Sequence, residues 1–140
     1  DHTLRTTKGT LGKDAKLVIH ERILTEKEQT AKTQFEVNLN GENCGANLIS
    51  RSVAKDHSHQ EYQSRIVGNT RCNGHSECDA ILVGEGTVNA APELSANNPD
   101  AALIHEAAIG KIAGEQILKL CTLGLTEKEA EEKIVAGFMK

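Results

Sequence analysis

Aromatic residues and long apolar runs are what this sequence most lacks. Phenylalanine, tyrosine and tryptophan make up 2% of its 140 residues, and tryptophan is absent. Large rings usually supply much of the buried area of a compact core, so we expect a core of valine, isoleucine, leucine and alanine in flat, repetitive sheet layers. No run of about 18 apolar residues occurs, so the sequence predicts neither a membrane span nor a signal peptide.

Excess positive charge is also absent. The formal net charge is -4 and the isoelectric point is near 5.9. A nucleic-acid partner favours a basic face, so we expect no such partner. The four cysteines lack the dense spacing of a small secreted disulfide scaffold, which favours a reducing, cytoplasmic compartment. The only methionine is Met139, so we expect a fragment or processed chain whose N-terminal domain is incomplete.

The common sequence signatures of enzymes are missing as well. The chain has no glycine-rich phosphate loop before a helix, no Gly-x-Ser-x-Gly nucleophile elbow and no His-Glu-x-x-His motif. This disfavours the classes of enzyme that depend on those motifs.

Short apolar runs separated by glycine and asparagine dominate the first part of the chain. In FEVNLN, Phe35, Val37 and Leu39 alternate with polar residues, as in a half-buried strand. Turn signals recur about every ten to fifteen residues, and no strict sequence repeat is evident. Many short strands without intervening helices predict an all-β body, either the stacked coils of a β-helix or a β-sandwich, and periodicity alone favours neither.

The apolar period changes to a helical one from Ile109 onward, which predicts a first helix over residues 110–123 that Gly124 terminates. Thr126 and Glu129 form a capping-box pattern that opens a second helix. We therefore divide the chain into a β-core at residues 1–104, which is a β-helix if its strands stack as coils, and a C-terminal helical segment at residues 105–140.

Three potential metal ligands lie in the segment CNGHSEC: Cys72, His75 and Cys78. Thiolate and imidazole groups suit zinc, soft metals and iron–sulfur clusters, but this spacing is not that of a zinc finger. On these residues alone, a purely structural interpretation, with Cys78 buried in a strand and His75 exposed in a turn, stays open.

His105 and Glu106 are a second candidate pair, at the junction between the sheet body and the helices. Adjacent residues of a strand point to opposite faces, so we expect a site there to use one of them as its principal ligand. His57 and His59 could bring two imidazoles to one face of a strand, although such pairs are usually incidental.

The second half of the chain resembles the C-terminal region of the SufB/SufD family of iron–sulfur cluster assembly scaffolds. Four segments carry the resemblance: CDAILVGEG (78–86), Pro92-Glu93-Leu94, HEAAIGKIAGEQ (105–116) and LGLTEKEAEEKIVAGF (123–138). Their order is specific to the family, whereas the match over residues 1–77 rests on pattern only.

The resemblance implies a mainly β fold, a partial right-handed parallel β-helix followed by a C-terminal helical hairpin. It also implies a dimer formed through the β-helix, either a homodimer or a SufB/SufD-like heterodimer, and a SufC-type ABC ATPase as partner. The partner would dock on an apolar stripe of the hairpin that comprises Leu125, Ala130, Ile134 and Phe138.

The resemblance further implies that Cys78 and His105 lie near the subunit interface and bind a transient iron–sulfur cluster, with Glu106 as a possible oxygen ligand. Ile104 stands where SufB-type chains have another glutamate. The function predicted is a non-enzymatic assembly scaffold, and this fragment alone need not hold a cluster. The alternatives are a β-helix enzyme acting on polysaccharide, which needs clustered carboxylates and aromatic platforms, and a structural module with inert cysteines.

Overall fold

A computed structural model describes all residues from 1 to 140. The chain forms eight β-strands followed by two α-helices. The strands are β1 (His2–Leu11), β2 (Lys16–Thr25), β3 (Thr30–Leu39), β4 (Cys44–Ala54), β5 (His59–Gly68), β6 (Cys72–Leu82), β7 (Thr87–Ala96) and β8 (Ala101–Lys111). The helices are α1 (Gly114–Thr122) and α2 (Glu127–Phe138).

The strands form two four-stranded parallel sheets. Sheet A contains the odd-numbered strands in the order β1-β3-β5-β7, and sheet B contains the even-numbered strands in the order β2-β4-β6-β8. Successive strands alternate between the sheets, so the chain winds as a coil and each turn stacks on the one before. This confirms the predicted parallel β-helix, of about four turns, followed by two helices, over the sandwich alternative.

Each coil contains 28 or 29 residues. His2 pairs with Thr30, 28 residues later, and Thr30 pairs with His59 after a further 29. Because neighbouring strands are parallel and in register, residues one coil apart stack on the same face of their sheet. No repeat is evident in the sequence, because the residues that stack one coil apart are mostly of different types.

The core lies between the inner faces of the two sheets. Phe35, Val37 and Leu39 are buried, as their alternation predicted, and Leu48 and Ile66 are fully buried beside them. Complete burial of such a side chain contributes about 1.5–3 kcal/mol of transfer free energy. Branched aliphatic residues therefore form most of a core that has only two aromatic rings, those of Phe35 and Tyr62.

The corners of the coils repeat as well. The turns that follow β1 and β3 place Asp14 and Asn43 at positive φ, and the Asn43 amide donates to the Asp14 carboxylate at 2.8 Å. A ladder of asparagines stacks at another corner: Asn69 Nδ2 donates to Asn40 Oδ1 at 2.7 Å, and Asn97 Nδ2 donates to Asn69 Oδ1 at 2.8 Å. These ladders fix the alignment of one coil on the next.

The last strand is longer than predicted. β8 continues to Lys111 and so crosses the boundary that the sequence analysis placed after residue 104, and α1 begins at Gly114 and not at residue 110. Ile109, Gly110 and Lys111 pair with residues 80–82 of β6. This ladder overrides the local helical spacing of the apolar residues, because pairing in the sheet satisfies the backbone and outweighs weak intrinsic propensity.

The end of the chain has the predicted helical form. Gly124, at φ 94°, follows α1 and ends it. The Thr126 hydroxyl accepts from the Glu129 amide at 3.2 Å, and the Glu129 carboxylate accepts from the Thr126 amide at 2.8 Å, which confirms the capping box at the start of α2. Neither helix has the length and apolar character needed to cross a membrane.

Close stacking of the coils generates a stability prediction at Gly86. A Cβ at this position would overlap the carbonyl group of Ala54 in the preceding coil, whereas a Cβ at Gly12 would meet nothing within 4 Å. We expect Gly86→Ala to lower the free energy of unfolding by about 1–3 kcal/mol or more, because the backbone must shift. Gly12→Ala, the matched control, should change it by less than about 1 kcal/mol.

Urea unfolding followed by circular dichroism measures both variants. Equal stability of the two would contradict the close approach of the coils at Ala54.

Candidate functional site

The segment CNGHSEC lies within strand β6, so its side chains alternate between the two faces of sheet B. Cys72, Ser76 and Cys78 are buried on the inner face, while His75 and Glu77 lie on the outer face. His75 is thus on a strand and not in a turn. The alternation separates the imidazole of His75 from the two thiols, so these three residues do not form one site.

The pair His105-Glu106 lies within β8 and is divided in the same way. His105 pairs with the buried Ser76, and Glu106 pairs with the outward-facing Glu77. His105 therefore faces the interior, and Glu106 faces outward. The two side chains thus point to opposite faces of sheet B, as strand alternation predicts, and which of them serves as a ligand stays a prediction.

The inner face brings Cys78 and His105 close together. Cys78 follows Ser76 by two residues on β6, and Ser76 is the register partner of His105. The thiol and the imidazole are therefore diagonal neighbours on one face of adjacent strands, a spacing of about 7–8 Å between backbones. Of the three predicted ligands, the fold brings these two together and places Glu106 on the other side of the sheet.

The Cys78 thiol is only 1% exposed. Burial, followed by the negative charges of Asp79 and Glu21, raises the pKa of this thiol to about 11. At neutral pH the group is therefore a thiol and not a thiolate. Because the thiolate is the metal ligand and the nucleophile, a cation or another positive charge must approach before Cys78 can act as either.

His105 is the most unusual polar group of the interior. Both of its ring nitrogens are buried, and neither makes a hydrogen bond of normal geometry within the protein, although a backbone group of Ser76 is close enough to act on the pKa of the ring. Burial lowers the pKa of His105, and the nearby His75 ring lowers it further. The ring is therefore neutral at pH 7 and has a free lone pair, which is the state that binds metals. A buried polar group without a partner calls for a functional explanation.

A second polar feature of the interior was not predicted from the sequence. Glu21 of β2 is buried on the inner face, accepts from Thr33 at 2.8 Å and from Ser50 at 2.9 Å, and lies 2.9 Å from an Arg5 guanidinium nitrogen. Ser50 is the register partner of Cys78 one coil further on. The signal was present in LVIHERIL, where Glu21 continues the alternate positions otherwise held by leucine and isoleucine.

Tyr62, Ser64 and Ser76 form a group of hydrogen-bonded hydroxyls next to the Cys78–His105 pair. The Tyr62 hydroxyl lies 2.7 Å from Ser76 Oγ, and Ser76 donates to Ser64 Oγ at 3.1 Å. Ser76 thus connects this group of buried hydroxyls to His105, its register partner on β8. The hydroxyl groups beside the Cys78–His105 pair are therefore hydrogen-bonded to one another.

On the outer face, Glu106 contacts a residue that the sequence analysis had left open. Its Oε2 lies 3.1 Å from His75 Nε2, and His75 Nδ1 lies 2.7 Å from Asn47 Oδ1. His75 and Glu106 are 31 positions apart in the sequence, which is one coil of 29 residues plus two residues along the strand. Their contact could therefore be predicted only once the length of the coil was known.

The remaining histidines and cysteines do not join either group. His57 pairs with Glu85 at 2.6 Å and His59 contacts Thr87 at 2.7 Å, so these two imidazoles have separate partners. Cys44 is the inward register partner of Cys72, and Cys121 lies on α1.

The apolar stripe of the hairpin faces the protein body over part of its length. Ala130 is 0% exposed, whereas Leu125, Ile134 and Phe138 are half-buried. Phe138 lines a shallow cavity against sheet B, and Arg22 donates to the carbonyl of Lys140 at 2.9 Å. Ala130 therefore offers no surface to a partner in this conformation, and a docking role for the stripe stays a prediction.

Burial and protonation of Cys78 predict its reactivity. With a pKa near 11, the folded protein holds about a hundredfold less thiolate at this position than an ordinary cysteine does. We expect iodoacetamide to label Cys121 in the native protein and to label Cys78 at least about a hundredfold more slowly. Mass spectrometry of timed digests gives both rates, and Cys121 is the internal control.

Addition of urea should remove the difference between the two cysteines. Equal labelling rates in the native protein would show that Cys78 is not buried on the inner face.

Comparison with known proteins gives one consistent result. Residues 3–138 match the family model described as "SUF system FeS cluster assembly, SufBD core domain". The chain is 38% identical over 130 residues to an iron–sulfur cluster assembly SufBD family protein of Archaeoglobus fulgidus, which covers 91% of this chain and 35% of that protein.

Two further relatives carry the same description. Identity is 37% over 128 residues with the protein of Methanocaldococcus jannaschii, which covers 91% of this chain and 40% of the relative. It is 32% over 130 residues with the protein of Methanothermobacter thermautotrophicus, which covers 91% and 32%. The chain therefore spans about a third to two fifths of the length of these relatives.

Proposed function

Because this chain belongs to the SufBD family of iron–sulfur cluster assembly proteins, we propose that it is a non-enzymatic scaffold that holds a transient cluster through Cys78 and His105. One observation carries the proposal. The last two strands of sheet B place a thiol and an imidazole without a hydrogen-bond partner on neighbouring positions of the same inner face. Thiolate and imidazole are the ligand types that iron–sulfur centres accept.

The chemistry of this pair suits a cargo that must later leave. Four buried thiolates hold a cluster permanently, whereas one thiolate and one imidazole leave iron positions to be filled by other ligands. The raised pKa of Cys78 adds to this effect, since protonation of the thiol competes with metal binding. Loading and release then depend on how much positive charge lies beside the thiol.

The further ligands come from a second subunit in this proposal. β7 and β8 are the terminal strands of the two sheets, so each has one edge with unpaired backbone groups. Such an edge is a ready template for pairing with another chain. A homodimer or a SufB/SufD-like heterodimer formed there would bring a second set of side chains to the end of the β-helix where His105 lies.

A SufC-type ABC ATPase is the proposed partner of the helical hairpin. The half-buried residues of the stripe, Leu125, Ile134 and Phe138, would form the rim of that surface. Leu118 and Leu123 of the same hairpin are 65% and 78% exposed and would form its centre. Nucleotide-driven movement of such a partner could strain the hairpin against sheet B, where Phe138 and Lys140 are held.

The polysaccharide alternative finds little support in the surface. Phe35 and Tyr62 are both buried, and Phe138 lies on a helix, so neither sheet exposes an aromatic ring for a sugar to stack on. The alternative of a module with inert cysteines is an outcome of the following experiment.

Anaerobic reconstitution with iron and sulfide tests the proposal. We expect the protein to develop visible sulfur-to-iron absorption, and we expect Cys78→Ala and His105→Ala each to lose most of it, because each removes a ligand. Cys121→Ala and His57→Ala, which change residues of the same types elsewhere, should keep it. Circular dichroism of each variant verifies that the β-helix is intact.

A folded Cys78→Ala/His105→Ala double variant with wild-type absorption would refute the assignment. Absence of absorption in the wild-type protein would favour the inert module.

A further inference from the structure

The outer face of sheet B carries a group of ligands that is distinct from the inner pair. His75 and Glu77 of β6 and Glu106 of β8 each bring one nitrogen or oxygen ligand atom within 4.8 Å of the others. The register explains the group, since Glu106 is the partner of Glu77 and His75 precedes Glu77 by two residues on the same face. These three side chains belong to adjacent strands of a sheet, so their backbones hold them at fixed spacing.

The imidazole of His75 is oriented in the way that metal-binding histidines are. Its Nδ1 lies 2.7 Å from Asn47 Oδ1, on the neighbouring strand β4. Without an ion, Nε2–H donates to the Glu106 carboxylate; an ion that displaces this proton meets the Nε2 lone pair of a ring that still donates its Nδ1 proton to Asn47. Asn47 lies outside the group of ligands and thus fixes both the tautomer and the direction of the ring.

The distance between His75 and Glu106 matches that of two ligands on one ion. His75 Nε2 and Glu106 Oε2 are 3.1 Å apart. Ligands at about 2.1 Å from a shared ion, at octahedral or tetrahedral angles, lie about 3.0–3.4 Å from each other. An ion bound to both atoms therefore requires little movement of either, and a Glu77 carboxylate oxygen lies within 4.8 Å of both.

The negative charge of the group is poorly compensated. Neither Glu77 nor Glu106 lies within 4.0 Å of a lysine or arginine nitrogen, and Glu106 has only His75 as an ion-pair partner. Asp79, the next outward residue of β6, adds a third carboxylate and raises the pKa of Glu77. By contrast, the outer carboxylates of sheet A have basic partners, as Glu61 has in Lys32 and Glu93 in Arg65.

We propose that His75, Glu77 and Glu106 form a binding site for a first-row divalent metal ion on the outer face of sheet B, with Asn47 as a positioning residue. One imidazole and two carboxylates suit ions such as Fe²⁺, Co²⁺ or Zn²⁺ better than Mg²⁺, which prefers oxygen ligands alone. Glu106 is largely exposed, so water completes the coordination. This site rests on the outer-face geometry and is independent of the function proposed for Cys78 and His105.

Titration with Co²⁺ alone tests the site, because Co²⁺ is stable in air and its visible spectrum distinguishes ligands. We expect one bound ion by isothermal titration calorimetry, with weak d–d bands and no sulfur-to-cobalt charge-transfer band. His75→Gln, Glu77→Gln and Glu106→Gln should each weaken binding by at least about tenfold. Asn47→Ala should weaken it by about 10–100-fold through loss of ring orientation, with the d–d bands retained at saturation.

Two controls separate this site from other contributions. Glu93→Gln removes a carboxylate of the same type from sheet A and should leave the affinity unchanged. Cys78→Ala should also leave it unchanged, which makes the result independent of the inner pair. Circular dichroism confirms that the glutamine variants, which keep the size of the side chain, are folded.

The proposal is overturned if the wild-type protein binds no Co²⁺, in which case His75 and Glu106 form a surface ion pair only. It is equally overturned if the three ligand variants bind as the wild type does, or if Cys78→Ala abolishes binding.

Discussion

The parallel, in-register hydrogen bonding between successive coils is the constraint on which this structure depends. Every strand pairs with the strand one coil away, at an interval of 28 or 29 residues. The backbone hydrogen bonds fix the spacing between neighbouring strands of each sheet, and the pleat of each strand determines which side chains point inward. A change of one residue in the register would move the whole set of inner side chains to solvent, so the corners that hold the register are as important as the core.

This constraint places the reactive side chains of the chain on two different faces of sheet B. The inner face has Cys78 and His105, where burial disfavours charge, so that the thiol stays protonated and the imidazole stays neutral. The outer face has His75 and Glu106, which are partly exposed to solvent and lie 3.1 Å apart. The two sets are separated by one layer of backbone, and adjacent residues such as His105 and Glu106 serve different environments. A buried thiol–imidazole pair and a partly exposed imidazole–carboxylate group therefore lie on opposite faces of the same two strands.

Sequence reasoning predicted much of the architecture. Alternation in β3 correctly identified the inward residues Phe35, Val37 and Leu39, and the capping box correctly located the start of α2. The coil period escaped notice because few identities mark it. The asparagines at 40, 69 and 97 do mark it, but three polar residues at turns do not stand out until their stacking is known.

The arrangement of the candidate ligands could be predicted only in part, for the same physical reason. Glu106 was grouped with Cys78 and His105 by a family resemblance that records residue order and not the face to which a residue points. Strand alternation already implied that His105 and Glu106 diverge, and the structure shows this. His75 could not be matched with Glu106 without the register between β6 and β8. The start of α1 was placed too early because helical spacing at Ile109 competes with a β-ladder that only tertiary pairing reveals.

We propose that the imidazole of His105, and not that of the outward-facing His75, binds the iron of an assembled cluster. Pulsed electron paramagnetic resonance on the reduced, cluster-loaded protein with ¹⁵N-labelled histidine measures this directly, through the hyperfine coupling of a coordinated ring nitrogen. We expect a strongly coupled nitrogen that disappears in His105→Ala and persists in His75→Asn. A coupling that persists in His105→Ala, or that disappears in His75→Asn, would contradict it.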